Sequence, residues 1–215
     1  MDSAAVKTNG AWYGRISPAM LDRFEQVLIM LLWVGLVHRV IGAFAINKDA
    51  WLVLISETSV MIFTVLRRPT TAITLKPGDW MLAITATAAP LLIQPGYDMF
   101  PALREFAMAL VLIGNLGQAA AKLSLRRSFG IAAANRGVKV SGAYRFVRHP
   151  MYAGYLLVHI GILLLMPSPL NLALYVIGWT AQIRRLKAEE ALLGQDPAYQ
   201  DYMTKVRWRL IPGIF

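Results

Sequence analysis

Long apolar stretches alternate with short polar ones along this chain. A membrane helix needs about 20 mostly apolar residues to cross roughly 30 Å of hydrocarbon. Four stretches approach that length, at residues 24–46, 50–66, 79–93 and 103–121. A longer run at 151–183 contains MPSPLN, in which two prolines close together end one helix and start another. The pattern therefore predicts an all-α, polytopic membrane protein with about six transmembrane crossings, the last two forming a helical hairpin.

Composition agrees with a membrane protein and excludes several kinds of site. Hydrophobic residues make up 57% of the 215 positions and charged residues only 16%, which is unusual for a soluble domain. The chain has no cysteine, so a disulfide framework and a cysteine-ligated metal are both excluded. Its three histidines are scattered without ligand spacing, and we expect no metal site. The polar N-terminal stretch lacks the pattern of a cleaved signal peptide.

Basic residues are distributed unevenly and predict an orientation. Of the 22 lysines and arginines, 19 fall in four regions, at 1–23, 67–78, 122–148 and 184–215. Six crossings would place all four regions on one side, and the positive-inside rule makes that side the cytoplasm. We therefore expect a multi-pass protein with both termini and the active site in the cytoplasm. The net charge of +10 then reflects topology and contact with lipid head groups, and we expect no nucleic-acid partner.

One polar cluster lies at the start of the fifth apolar run, in the sequence YRFVRHPMYAGY at 144–155. A residue before proline is held away from the helical region, and proline suits the first helical turn. A helix is therefore predicted to begin at Pro150, with Arg148 and His149 extended at the membrane surface. Gly154 would allow another group to approach this helix closely. The cluster is either a belt that anchors a helix end or part of a site.

A second polar cluster follows the hairpin, as RRLKAEEALL at 184–193. Arg185 and Glu189 are four residues apart and share a helix face. A solvated ion pair would explain that spacing by itself. The hairpin, however, returns its second arm to the side on which its first arm begins. One pocket beside the bilayer would then hold a histidine, tyrosines, an arginine and carboxylates.

These elements together resemble a known family. The ordered set SGAY, VRHPMYAGY, AEEALL and AYQDYMTKV is similar to that of the isoprenylcysteine carboxyl methyltransferase and phospholipid methyltransferase superfamily. The resemblance implies an integral membrane enzyme with S-adenosyl-L-methionine as cofactor, bound in a cytoplasmic pocket. It covers residues 124–215, which we interpret as the methyltransferase core, with a cofactor loop, the hairpin and a C-terminal segment. Residues 1–123 would be four N-terminal transmembrane helices of the same single membrane domain.

The resemblance also implies roles for individual residues of this core. Arg185 is expected to face the acceptor as the catalytic residue, and Glu189 to hold a polar end of the cofactor. The full set expected at the cofactor is Arg136, Gly137, Val138, Lys139, Tyr144, His149, Pro150, Met151, Tyr152, Glu189 and Glu190.

The identity of the acceptor stays open at this point. The resemblance implies a lipid or lipidated acceptor reached from the bilayer. Carboxyl O-methylation of an isoprenylcysteine-type substrate is favoured, because Arg185 would bind a carboxylate bidentately. The alternative is N-methylation of a phospholipid amine, from which a proton must leave, with Glu190, His149 or Tyr144 as candidate bases. A further alternative is a non-catalytic membrane protein that retains the fold.

Other residues inside the predicted spans have structural explanations. Arg39 and Glu57 lie in adjacent spans, and we expect an ion pair between them. His159 is expected to form a hydrogen bond within the helix bundle. Gly114 and Gly117 are expected to let the fourth span pack closely against a neighbouring helix.

Overall fold

The computed structural model describes residues 18–66, 77–96, 100–125 and 140–215. Within these ranges the chain forms seven α-helices and no strand. The helices are α1 (Pro18–Ala43), α2 (Trp51–Leu66), α3 (Pro77–Leu91), α4 (Arg104–Leu125), α5 (Pro150–Leu165), α6 (Pro169–Leu193) and α7 (Pro197–Lys205). The all-α prediction is therefore confirmed.

Three helical stretches in the described ranges are long and apolar enough to cross a membrane. They are Arg23–Ala43, Lys48–Leu66 and Pro101–Ser124. Helix α5 is apolar but shorter, and α6 combines an apolar first half with the charged RRLKAEE sequence. Three membrane-capable helices are thus observed, and the six crossings stay a prediction.

The break in the fifth apolar run lies where its two prolines predict it. Helix α5 ends at Leu165, and Ser168 caps the start of α6 by accepting a hydrogen bond from the backbone N–H of Asn171. The buried Asn171 side chain also donates to the carbonyls of Met166 and Gln94, and accepts from the Gln94 N–H. One asparagine therefore fixes the turn and connects it to the end of α3.

Successive helices alternate in direction. Gln26 and Trp33 of α1 hydrogen-bond to Thr64 and Thr58 of α2, respectively, which makes α1 and α2 antiparallel. At one end of the bundle Asn47 donates to the carbonyls of Gly96 and Leu165. We call this the turn end. The opposite end, where α4 finishes, α5 begins and α6 finishes, is called the site end.

Helices α4 and α5 pack closely because glycines face each other. A Cβ atom on Gly154 would lie 2.8 Å from the Gly114 carbonyl oxygen, and one on Gly161 would lie 2.6 Å from that of Ala107. The prediction for Gly114 and the expected close approach at Gly154 are therefore confirmed. The prediction for Gly117 is wrong, since a Cβ there would meet no atom of the described residues within 4 Å.

The expected ion pair between the first two spans is not formed. Arg39 donates to the carbonyls of Leu91 and Ile93. Both carbonyls lie at the end of α3, where the helix supplies no further backbone N–H to bond them. Glu57 instead lies on the face of α2 that is turned towards α5 and α6. Lys122 of α4, rather than Arg39, is the cation whose charge acts on Glu57.

Candidate functional site

Three side chains meet at the site end around one carboxylate. The Glu190 Oε1 atom accepts from Arg148 Nε at 2.7 Å and lies 3.1 Å from His149 Nε2, while its Oε2 atom accepts from Arg209 Nε at 2.7 Å. Arg148, His149 and Glu190 are buried. We call this group of Arg148, His149, Glu190 and Arg209 the carboxylate clamp.

The backbone brings the members of the carboxylate clamp together. His149, the residue before Pro150, lies outside the helical region as the proline predicts, but its φ of −126° and ψ of 60° are not those of an extended residue; α5 begins at Pro150. The segment before α5 pairs with the chain after α7, because the Arg148 N–H donates to the Trp208 carbonyl and the His149 N–H to that of Arg209. The C-terminal segment is thus joined to the start of α5 by main-chain bonds as well as by Glu190.

The clamp changes the acidity of its carboxyl group. Burial by itself would raise the pKa of Glu190, but the hydrogen bonds from His149, Arg148 and Arg209 outweigh burial and lower that pKa to about 2. A carboxylate in this state is a weak base. Its position favours a structural role over the cofactor contact that the resemblance implies.

Glu189 points to a different set of neighbours from Glu190. Its Oε2 atom accepts a hydrogen bond from the Tyr152 hydroxyl at 2.9 Å. The Arg185 guanidinium lies over the Tyr152 ring, 5.5 Å from the ring centroid, and the His149 ring is stacked parallel to Tyr152 on α5. Tyr152 therefore connects Glu189, Arg185 and His149, which are three of the residues expected in the site.

A cavity opens behind Tyr152 and Arg185, between α5 and α6. The two helices diverge from their shared turn, since α5 packs on α4 and α6 packs on α3. The space between them, including its open part, holds about 560 Å³ that no protein atom occupies. It is lined by Glu57, Val60, Ala86, Thr87, Pro90, Met151, Tyr152, Tyr155, His159, Tyr175, Gly178, Trp179, Gln182 and Arg185.

Aromatic rings form a stack along the α5 side of the cavity. Tyr152, Tyr155 and His159 follow one another at successive turns, with ring centroids about 6 Å apart. His159 accepts a hydrogen bond from Trp179 Nε1 at 3.0 Å and stacks on Tyr175, both on α6. The predicted hydrogen bond of His159 within the bundle is confirmed, and it connects the two walls of the cavity.

The other residues expected at the cofactor lie at the same end of the molecule. Tyr144 is buried, its carbonyl accepts from the Tyr202 hydroxyl, and burial together with the charge of Glu189 raises the pKa of its own hydroxyl. Pro150 and Met151 form the first turn of α5, and Met151 lines the cavity. The expected cofactor residues Arg136, Gly137, Val138 and Lys139 lie outside the described residues.

Several cavity residues were missed by sequence reasoning. Tyr155, Tyr175, Trp179 and Gln182 are spread over two helices, and no spacing in the sequence indicates that they share a cavity. Glu57 did carry a signal, because an ionisable residue inside a membrane span marks function more often than not. The expected pairing with Arg39 concealed that signal.

Comparison with known proteins supports the motif-based resemblance. Residues 105–196 match the family model of phospholipid methyltransferases. This segment is similar to the isoprenylcysteine and phospholipid methyltransferase superfamily. The match begins at the start of α4, upstream of residue 124, and therefore includes the helix on which α5 packs.

Curated relatives fall in the isoprenylcysteine branch of the superfamily. Protein-S-isoprenylcysteine O-methyltransferase A of Arabidopsis thaliana is 25% identical over 121 residues, which are 54% of this chain and 61% of the relative. A probable protein-S-isoprenylcysteine O-methyltransferase of Oryza sativa subsp. indica is 28% identical over 122 residues, covering 50% and 64%. The superfamily segment thus spans less than two thirds of the length of these relatives.

Proposed function

We propose that this chain transfers a methyl group from S-adenosyl-L-methionine to a lipid-like acceptor in the membrane. The preferred reaction is carboxyl O-methylation of an isoprenylcysteine-type acceptor. The observation that supports it most is the position of Arg185, whose guanidinium lines an apolar cavity one helical turn from Glu189. The similarity of residues 105–196 to the phospholipid methyltransferase family supports the same class of reaction.

The donor set at the site end fits the proposed cofactor. S-Adenosyl-L-methionine supplies a methyl group activated by a sulfonium cation. A carboxylate and aromatic faces are suitable neighbours for such a cation. Glu189, which receives a hydrogen bond from Tyr152, and the stacked rings of His149 and Tyr152 provide both kinds of group. Glu190 is the less suitable glutamate, because both of its oxygens already accept hydrogen bonds.

Arg185 would orient the acceptor. Its planar guanidinium suits a carboxylate held by two parallel hydrogen bonds, and its Cζ atom lies 5.5 Å from the centre of the Tyr152 ring. An acceptor carboxylate is already anionic at neutral pH. Its oxygen can form the bond to the methyl carbon as the carbon–sulfur bond breaks and the electron pair stays on sulfur. No base is needed, and the chain's task is alignment in a water-poor cavity.

N-methylation of a phospholipid amine is the second candidate, favoured by the description of the family model. It requires a base to take the proton that leaves the nitrogen. The clamp lowers the pKa of Glu190 to about 2, and burial raises the pKa of the Tyr144 hydroxyl. Glu190 is therefore a weak base, and Tyr144 is not ionised at neutral pH. The third candidate, His149, has its Nε2 atom 3.1 Å from Glu190 Oε1, within the clamp. These contacts favour the carboxyl acceptor.

The site end is proposed to face the cytoplasm. Helix directions place the ends of α2, α4 and α6 at the site end, where the adjoining stretches 67–78, 122–148 and 184–215 hold most of the basic residues. The positive-inside rule would then orient this end inwards, with six crossings and both termini in the cytoplasm.

Two measurements on purified protein test the proposal. S-Adenosyl-L-methionine should raise the unfolding temperature of the protein in detergent, since a ligand bound only by the folded state adds stability. A radiolabelled methyl group should then pass to an S-prenylated cysteine with a free carboxyl group and give a base-labile ester. A base-stable product on phosphatidylethanolamine would move the proposal to the amine. A protein with neither a thermal shift nor label transfer to either acceptor would contradict the proposed function.

A further inference from the structure

Glu57 is a buried carboxylate whose hydrogen-bonding capacity is not used by the protein. It lies on α2, is 4% exposed and lines the cavity between α5 and α6. Among residues 18–66, 77–96, 100–125 and 140–215, no side chain or backbone group donates a hydrogen bond to it or pairs with it within 4 Å. A buried carboxylate without such donors is costly. The arrangement therefore suggests that a ligand supplies the donor.

Lys122 supplies a counter-charge to Glu57 without donating a hydrogen bond to it. Its Nζ atom donates to Ser59 Oγ at 2.6 Å and to Gln118 Oε1 at 3.1 Å, and it lies over the Tyr155 ring. The charges of Lys122 and Glu57 still act on each other. The pair is therefore close to neutral overall, while the carboxylate oxygens stay available to accept hydrogen bonds from inside the cavity.

A second polar group with spare capacity faces the same cavity from α6. The Nε2 atom of Gln182 is buried and has no acceptor among the described residues. The cavity thus offers an acceptor on α2 and a donor on α6 within walls that are otherwise largely aromatic and apolar. An amide or a hydroxyl, which both donates and accepts, matches this pair of groups.

We infer that Glu57 is a specificity-determining residue that accepts a hydrogen bond from an uncharged N–H or O–H group of the acceptor. The inference rests on the proposed function, in which Arg185 of the same cavity holds the acceptor's carboxylate. An uncharged donor is favoured over an ammonium, because Lys122 already balances Glu57 and Arg185 adds a second cation to the cavity wall. An N-acylated, lipidated cysteine has such an N–H beside its carboxylate.

Two probe lipids isolate this contact. One is N-acetyl-S-farnesylcysteine, and the other is S-farnesylthiopropionic acid, which keeps the prenyl chain, the thioether and the carboxylate but has no amide. Binding of each is measured by calorimetry in detergent without cofactor. The wild-type protein should prefer the amide probe by roughly tenfold or more, the size expected for one charge-assisted hydrogen bond. Glu57→Gln should reduce this preference and Glu57→Met should abolish it.

A double variant separates recognition from simple charge balance. Glu57→Met alone leaves Lys122 uncompensated and can unfold the protein, whereas Glu57→Met with Lys122→Met removes both charges. Loss of the amide preference in the double variant supports the inference. A preference that persists in the folded double variant overturns it and makes Glu57 only the counter-charge of Lys122. Glu105→Gln, at an exposed position on α4, is the matched control and should keep the full preference.

The outcome is distinguishable from failure of the proposed function. Methyl transfer to the amide probe with a preference independent of Glu57 would overturn this inference and leave the methyltransferase proposal standing. A Glu57-dependent preference without methyl transfer to either probe would support the binding role of Glu57 and count against the proposed reaction. Equal weakening of both probes in Glu57→Gln would also overturn the inference, because it indicates a general change of the cavity.

Discussion

The carboxylate clamp and the cavity between α5 and α6 lie next to each other but differ in whether their buried polar groups have hydrogen-bond partners. In the clamp, both oxygens of Glu190 accept hydrogen bonds from cationic side chains. In the cavity, Glu57 has no hydrogen-bond donor and Gln182 Nε2 has no acceptor within the described part of the chain. Glu190, Glu57 and Gln182 are all buried, so exposure to water does not explain the contrast.

The contrast indicates which region serves the fold and which serves a ligand. Proteins rarely leave buried polar groups without partners, because each such group costs free energy of folding. The clamp follows that rule and holds the C-terminal segment against the start of α5. The cavity departs from it between Tyr152, Arg185 and the aromatic stack, where we propose that methyl transfer takes place. Tyr152 is the residue through which the two regions meet.

The largest effect is expected from breaking the clamp. Glu190→Gln leaves the Arg148 side chain, which is 7% exposed, without its counter-charge. Loss of one partner of a buried pair costs about 3–5 kcal/mol of unfolding free energy. Chemical unfolding in detergent measures the loss. Asp201→Asn breaks the exposed Lys205–Asp201 pair and should cost less than about 1 kcal/mol. Equal losses in the two variants would contradict the structural role of the clamp.

Acid should weaken the clamp in a defined pH window. The pKa of Glu190 is about 2 in the folded state against an ordinary value of 4.5. When the pH is lowered, the folded state therefore takes up this proton at a lower pH than the unfolded state does. The contribution of this group is complete above pH 4.5 and is lost as the pH falls towards about 2. The loss is on the order of 3 kcal/mol. Glu190→Gln should make the unfolding free energy less dependent on pH across this window. An unchanged dependence on pH would argue against assigning the acid sensitivity to Glu190.

Substitutions of Arg185 test whether the cavity binds a ligand. Arg185→Lys keeps the charge but removes the planar fork, so turnover should fall roughly ten- to hundredfold while cofactor affinity stays nearly intact. Arg185→Ala should be worse. Cofactor binding and methyl transfer are measured on the same preparation, with the exposed neighbour Arg184→Lys as control. Loss of cofactor binding together with turnover would make Arg185 structural, and full turnover in Arg185→Ala would favour the amine acceptor.

Glu189 sharpens the contrast between adjacent carboxylates. Glu189→Gln should weaken cofactor binding by about 1–3 kcal/mol, because a charged hydrogen-bond acceptor is lost. Its effect on stability should be smaller than that of Glu190→Gln, since the described structure gives Glu189 one hydrogen bond, from Tyr152. Calorimetry with S-adenosyl-L-methionine and an unfolding series are run on both variants. Wild-type cofactor affinity in Glu189→Gln would remove this residue from the site.

The smallest effect is expected at Gln182. Gln182→Met keeps the approximate volume and removes a buried amide without an acceptor in the described structure, so stability should change by less than about 1 kcal/mol. Asn171→Leu at the turn end is the comparison, since it removes three hydrogen bonds to Gln94 and Met166 and should cost several times more. Thermal unfolding compares the two. A large loss in Gln182→Met would show that the cavity's polar groups serve the fold.

Local features of the fold could be predicted from the sequence. The helix start at Pro150 and the turn at 166–171 follow from proline, whose effect is confined to its neighbours. Apolar runs of sufficient length located α1, α2, α3 and α4. Arg185, Glu189, Tyr152 and His149 do lie together at the site end, as their order in the superfamily motifs implied.

Tertiary structure decided which partners these residues have. Adjacent residues on a helix point about 100° apart, so Glu189 and Glu190 look equivalent in the sequence until the rotation of α6 is known. That rotation turns Glu190 to Arg148, His149 and Arg209, and Glu189 to Tyr152. Arg209 joins the clamp only because the segment after α7 pairs with the start of α5.

The sequence by itself determined the helical class, the breaks between helices and the residue types available for chemistry, because these depend on hydrophobicity and on local backbone restrictions. Tertiary structure alone decided that Glu57 lines a cavity and accepts no hydrogen bond from the described residues, and that Lys122 rather than Arg39 is the cation whose charge acts on it. Both facts depend on the distance and rotation between helices far apart in the chain, and those are fixed by side-chain packing across the whole bundle.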